Sequence, residues 1–105
     1  MVLLFDLILL YLFVQEYLRG FLWSYKKDEN RHINYFYIDK NCRSYGYGSN
    51  MLNKLFEESE EDIELLVDKE NEKGKNFYFK NSFKIIDENN KSYKMLRKNK
   101  MKKES

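Results

Sequence analysis

The sequence predicts an α/β (α+β) domain: a mixed, mostly antiparallel sheet with a central parallel strand pair and two helices. The first observation is an order of elements. An aromatic and β-branched run, Ile33 to Ile38, precedes a glycine-bearing turn, a helical pattern over Met51 to Phe56, and a short apolar run, Ile63 to Val67. Strand, helix, strand with a crossover of this length argues a parallel pair. The second observation is that apolar runs parted by short polar turns flank this unit on both sides, as in antiparallel hairpins.

Taken in order, Val2 to Val14 is apolar except for Asp6. Periodicity does not separate strand from helix over Leu7 to Val14. Glu16 to Arg19 breaks the run, and Gly20 to Tyr25 reads as a strand. The favoured reading is a hairpin of two buried antiparallel strands. Lys26 to Arg31 is a polar turn before the strand at Ile33–Ile38. Met51, Leu52, Leu55 and Phe56 share one helical face. The acidic run Glu57 to Glu64 then reads as a solvated helix end and loop. Asn71 is placed to cap a helix over Glu72 to Asn81, which Gly74 and Asn76 weaken. Phe83–Ile86 and Ser92–Leu96 read as strands joined by a turn at Asp87–Asn90. Met101 to Ser105 is a charged tail expected to fray.

At 105 residues the chain is expected to form a single domain with one modest core. It divides into a first-strand region (1–19), a core (20–97) and a basic tail (98–105). A net charge of +2 is too small to imply a nucleic-acid partner. Cys42 is the single cysteine, which excludes an internal disulfide and a cysteine metal cluster and points to a reducing, cytoplasmic compartment. His32 is the single histidine, so a multi-histidine metal site is excluded. Val2–Val14 falls short of the ~18 residues that argue a membrane span. No Lys or Arg precedes it and no small-residue cleavage site follows, so no membrane partner is expected. The alternative is a membrane-associated protein that uses this run together with the basic tail.

The stretch Arg43-Ser44-Tyr45-Gly46-Tyr47-Gly48-Ser49 lies between a strand and a helix start. There, backbone N–H groups without intrahelical partners face an anion, and the helix dipole favours negative charge. Glycines let the chain turn sharply and approach a ligand closely.

Two patterns then coincide. Ile38 stands five positions before Arg43, which is followed by Gly46 and Gly48. Downstream, Asn71 is followed by Tyr78, Lys80 and Phe83 in one unbroken register. Together they resemble the GNAT superfamily of acetyl-CoA-dependent N-acetyltransferases, over about residues 20 to 97. The resemblance implies acetyl-CoA as cosubstrate and an amine-bearing acceptor that attacks it directly. Backbone N–H groups from Arg43 to Ser49 (Arg43, Ser44, Tyr45, Gly46, Tyr47, Gly48, Ser49) would hold the pyrophosphate. The pantetheine arm would run between the strands at Ile33–Ile38 and Ile63–Val67, which splay apart in the family. The N–H of Ile38 or a neighbour would polarise the thioester carbonyl. Phe36, Tyr37 and Asn71 also fall on cofactor-site positions. Tyr78 matches the family's general acid; a phenol near pKa 10 is protonated at neutral pH and can donate.

Two departures qualify the expectation. Ser82 replaces the family's glycine before Phe83, which predicts strain or a changed turn. The first strand and two helices that wall the acceptor site in the family have no counterpart ahead of Leu7, so cofactor binding is expected ahead of efficient turnover. A non-catalytic binding module is the alternative, and a homodimer could complete the missing half. No motif settles the general base; His32, Glu29, Glu16 and water are candidates.

Overall fold

The computed structural model describes residues 6–99. The expected tail at Met101–Ser105 and the run Val2–Phe5 lie outside them. The strands are β1 (Leu7–Val14), β2 (Tyr17–Lys27), β3 (Asn30–Ile38), β4 (Ile63–Asp68), β5 (Lys84–Glu88) and β6 (Ser92–Arg97). The helices are α1 (Tyr47–Glu58) and α2 (Glu72–Lys80), with one 3-10 turn at Lys40–Cys42. Among the described residues the sheet has six strands in the order β1-β2-β3-β4-β6-β5. All pairs are antiparallel except β3 with β4. No helix among the described residues is long and apolar enough to cross a membrane.

The parallel pair is short. Its Cα partners are Arg31 with Ile63 and His32 with Glu64, after which β3 and β4 part. The divergence opens a cleft at the ends of both strands, and the loop into α1 starts there.

Hairpin chemistry sets the rest. Val14 pairs with Tyr17, leaving Gln15 and Glu16 as a two-residue turn with φ of 53° and 74°. Positive φ at both positions matches the right-handed twist of the flanking strands. The turn before β3 is equally tight, with only Asp28 and Glu29 unpaired between Lys27 and Asn30. Asn34 is the extra residue of a bulge, because Trp23 pairs with Tyr35 and Ser24 with Ile33.

Both helices feed one core. Met51, Leu52 and Leu55 of α1 are buried against Leu22, Ile63, Leu65, Val67, Phe83 and Met95. Burying one such side chain stabilises by about 1.5–3 kcal/mol. The expectation of two buried strands at the front is corrected. In β1 the side chains alternate, with Ile8, Leu10 and Leu12 against the core and Leu7, Leu9, Tyr11 and Phe13 exposed. A continuous apolar run suggests burial on both faces, but among the described residues no helix packs on the second face.

The acidic run is also less solvated than expected. Glu61 accepts from Arg31 Nε at 3.2 Å, and the Asp62 carboxylate accepts from the Asn99 N–H at 2.8 Å. Arg31, in the supposed polar turn, is 1% exposed.

Candidate cofactor site

The cleft between the ends of β3 and β4 has a volume of about 880 Å3. Phe36, Tyr37 and Ile38 form one wall, and Leu66, Val67 and Asp68 another. The loop residues Arg43, Ser44, Gly46, Tyr47, Gly48 and Ser49 close one end. Asn71, Lys73, Phe77 and Tyr78, with other residues around α2, line the far side. The structure therefore brings together every cofactor-site residue expected from the sequence except Tyr45. Tyr45 is 70% exposed and its ring lies tilted against that of Tyr47, 5.8 Å away, instead.

The loop is held at its root. Asp39 accepts from Arg19 Nη1 at 2.9 Å and from the Asn41 N–H at 3.2 Å. The Asn41 N–H first, then Arg19, hold the Asp39 carboxyl below its usual range. Arg43 Nε donates to the Ile38 carbonyl at 2.8 Å, and its guanidinium lies 5.7 Å from the centre of the Tyr37 ring. The five-residue spacing from Ile38 to Arg43 is thus the span of a side-chain clamp across the start of the loop.

Beyond the clamp, Ser44 and Gly46 take φ of 75° and 85°. These turns deliver the chain to α1, whose N-cap, Gly46, makes no side-chain capping bond. The first intrahelical bond is Asn50 N–H to the Gly46 carbonyl at 3.0 Å. The N–H groups of Tyr47, Gly48 and Ser49 precede it and lie at the positive end of the helix.

The two glycines are needed for different reasons. A Cβ at Gly46 would meet nothing within 4 Å, so the constraint there is φ. A Cβ at Gly48 would lie 2.9 Å from Phe77 Cζ. Gly48 therefore lets α2 pack against the start of α1.

Hydrogen-bond alternation explains the Ile38 position. The Asp39 N–H donates to the Arg19 carbonyl at 2.6 Å, on the β2 side. Successive N–H groups of a strand point to opposite sides. The Ile38 N–H is thus directed toward β4, which has already diverged, and so toward the cleft.

Tyr78 is held by the end of its own helix. The Phe83 N–H donates to the Tyr78 carbonyl at 3.0 Å, and the Ser82 N–H to the Phe79 carbonyl at 3.2 Å. These two bonds form a Schellman closure, and its usual hydrophobic contact is present: the Tyr78 and Phe83 rings lie 5.5 Å apart. The Phe77 ring also meets the Tyr78 ring in an edge-on arrangement, 5.4 Å between centres. Burial pushes the Tyr78 phenol up to about 12. The closure needs a left-handed residue, and Ser82 supplies it with φ 74°. Ser82→Gly is therefore expected to raise stability by about 0.5–1 kcal/mol in urea titrations, with the m-value unchanged. Asn71 caps the other end of α2, accepting the Gly74 N–H at 2.9 Å. A side chain at Gly74 would collide with that cap, so this glycine serves the helix it was expected to weaken.

The candidate bases scatter. His32 pairs with Glu64 at 3.4 Å and stacks on Tyr25 at 5.4 Å, at the closed end where β3 and β4 still pair. Six residues of strand place it roughly 20 Å from Ile38. Glu29 occupies the turn at that same end, whereas Glu16 shares the end of the sheet that carries Ile38. Sequence reading missed Phe77, Lys73 and Asn81 in the lining. Their i, i+4 spacing, with Tyr78 beside Phe77, is the signal that places them on one face of α2. It also missed Asp68, the one acid lining the cleft among the described residues.

The model of the acetyltransferase (GNAT) family matches residues 5–83. The chain belongs to the GNAT acetyltransferase family. Its mixed sheet, with one parallel pair and two helices, is the GNAT fold. Solved structures agree. The PaiA N-acetyltransferase from Thermoplasma acidophilum, in complex with coenzyme A, superposes with a TM-score of 0.81 at 24% identity, over 89% of this chain and 61% of that one. The ribosomal-protein-S18-alanine N-acetyltransferase from Escherichia coli gives 0.78 at 14% identity, over 89% and 69%. A GNAT family acetyltransferase from Elizabethkingia anophelis with acetyl-CoA bound gives 0.77 at 12%, over 86% and 74%. The chain thus spans about three-fifths of the Thermoplasma structure. No curated protein matches the sequence.

Proposed function

We propose that this chain, a single GNAT domain placed in the cytoplasm, binds acetyl-CoA in the cleft and transfers its acetyl group to an amine acceptor. One observation carries the proposal. A loop with positive φ at Ser44 and Gly46 delivers an uncapped helix N-terminus to the cleft where β3 and β4 part.

The residues present fit such a ligand. The N–H groups at the start of α1 suit a pyrophosphate, and Lys73 and Lys80 add positive charge to the lining. The diverged edge of β3 leaves backbone groups, including the Ile38 N–H, for an amide-bearing arm and a carbonyl. Bound there, the cosubstrate would supply an activated acetyl group. The chain's part is to orient it, to donate from the Ile38 N–H, and to offer the Tyr78 hydroxyl to the leaving sulfur. A phenol at about 12 keeps its proton at neutral pH. It lies well above a thiol near 8.5, so it serves first as a hydrogen-bond donor to developing negative charge.

The second reading, a cofactor-binding module without turnover, is favoured by the open second face of β1–β3. Among the described residues no helix walls that side. One titration and one assay separate the two readings. Calorimetry with acetyl-CoA is expected to give a dissociation constant of about 1–100 μM, and no heat at millimolar cofactor from folded protein would overturn both. Thiol release over a panel of amines then tells an acetyltransferase from a binding module. Gly46→Val forces a β-branched residue into φ 85° and is expected to weaken acetyl-CoA about tenfold or more.

A further inference from the structure

The second face of β1–β3 is an apolar surface that the cleft does not use. On β1 every outward position is apolar: Leu7, Leu9, Tyr11 and Phe13 are 50%, 47%, 53% and 62% exposed. The surface continues without a break onto β2 and β3. The Tyr11 ring lies 5.3 Å from Phe21, and Phe21 lies 6.0 Å from Tyr35. Tyr35 is itself 50% exposed, and Leu18, paired with Phe13, is 54% exposed.

Area decides what this surface fits. Six large side chains, each about half exposed, present roughly 500–700 Å2. That is at or above the largest apolar patch of an ordinary monomer, about 300–600 Å2. It approaches the ~800 Å2 that each partner contributes to a stable interface, before any polar rim is counted. The charge pattern narrows the occupant. No formally charged side chain interrupts the outward positions of β1, so a charged ligand finds nothing to pair with there. An identical patch related by a two-fold axis meets no like-charge repulsion. The surface is also a sheet face, and two sheets pack about 10 Å apart through interleaved side chains.

We propose that a second copy of this chain covers this face, forming a two-fold symmetric dimer by sheet-on-sheet packing through Tyr11, Phe21 and Tyr35. The surface lies on the opposite side of the sheet from α1 and α2, so the proposal does not depend on what the cleft binds.

Sedimentation of the 105-residue chain tests it. The expected mass at about 50 μM is twice the 12.9 kDa of one chain, falling to one on dilution. Trp23 is the only tryptophan and lies on this face, beside Tyr25 at 5.9 Å. Acrylamide quenching of its fluorescence is expected to rise about threefold or more across the same dilution. Tyr11→Glu and Phe13→Glu alter exposed positions and are expected to weaken the dimer at least ~100-fold, whereas Phe79→Glu on the helical side leaves it unchanged. A folded single-chain mass at about 100 μM, with Trp23 quenching independent of concentration, would overturn the proposal. So would a dimer indifferent to both β1 substitutions, or capture of single chains by lipid vesicles in preference to dimerisation. The wild-type mass and quenching decide the matter even where a variant fails to fold.

Discussion

Tyr78→Phe is expected to leave acetyl-CoA affinity within about twofold and to slow acetyl transfer about a hundredfold. The substitution keeps the ring, and with it the packing against Phe77 and Phe83. The backbone closure through the Phe83 and Ser82 N–H groups is untouched. Only the hydroxyl is lost. Calorimetry and steady-state kinetics with an amine found by thiol release separate the two effects, and equal rates would remove the hydroxyl from the mechanism. The same variant has a signature in stability. Burial raises the phenol from 10.0 to about 12 in the folded chain. Between those values the folded state holds a proton that the unfolded state has released. The corresponding stability is complete below pH 10 and is lost as pH rises through 12, by on the order of 2–3 kcal/mol. Urea titrations across that window should show a smaller decline for Tyr78→Phe than for the wild type.

Arg31→Ala is expected to cost about 3–4 kcal/mol and to lower Tm by roughly 15 °C or more. Arg31 is 1% exposed. It reaches Asp6 Oδ1 at 2.9 Å, Glu61 Oε1 at 3.2 Å and Ser24 Oγ at 3.1 Å. The guanidinium fork thereby ties the start of β1 and β2 to the loop after α1. Truncation leaves a cavity and strips Glu61, itself only 16% exposed, of its closest partner. Arg31→Lys should recover less than half of the loss, because an ammonium does not reproduce the planar fork. Thermal and urea unfolding measure both variants. A change within about 0.5 kcal/mol for Arg31→Ala would show the cluster to be energetically neutral.

The order of elements was legible because each is marked locally. Asn71 at a helix start, two glycines after a strand and apolar runs between polar turns all act over a few residues. The cleft was legible for a related reason. Ile38, Arg43, Asn71 and Tyr78 are tied to their own neighbours by clamps and caps whose spacing is written in the chain. What escaped depends on residues that meet across long separations. Arg31 among polar neighbours reads as surface, and its burial follows only once Asp6 and Glu61 converge on it. An apolar β1 reads as buried on both sides, because sequence does not say whether anything covers the second face. Gly48 reads as room for a ligand, although Phe77, 29 residues on, is what fills the space beside it.

The parallel seam between β3 and β4 has a mechanical consequence. Two residue pairs at one end join the sheet's halves, while the other end gapes. Such a seam is a fulcrum: a small rotation about Arg31 and Ile63 becomes a larger displacement at Ile38 and Asp68. A ligand bridging the cleft's jaws would tie the two halves together at the end where strand pairing does not.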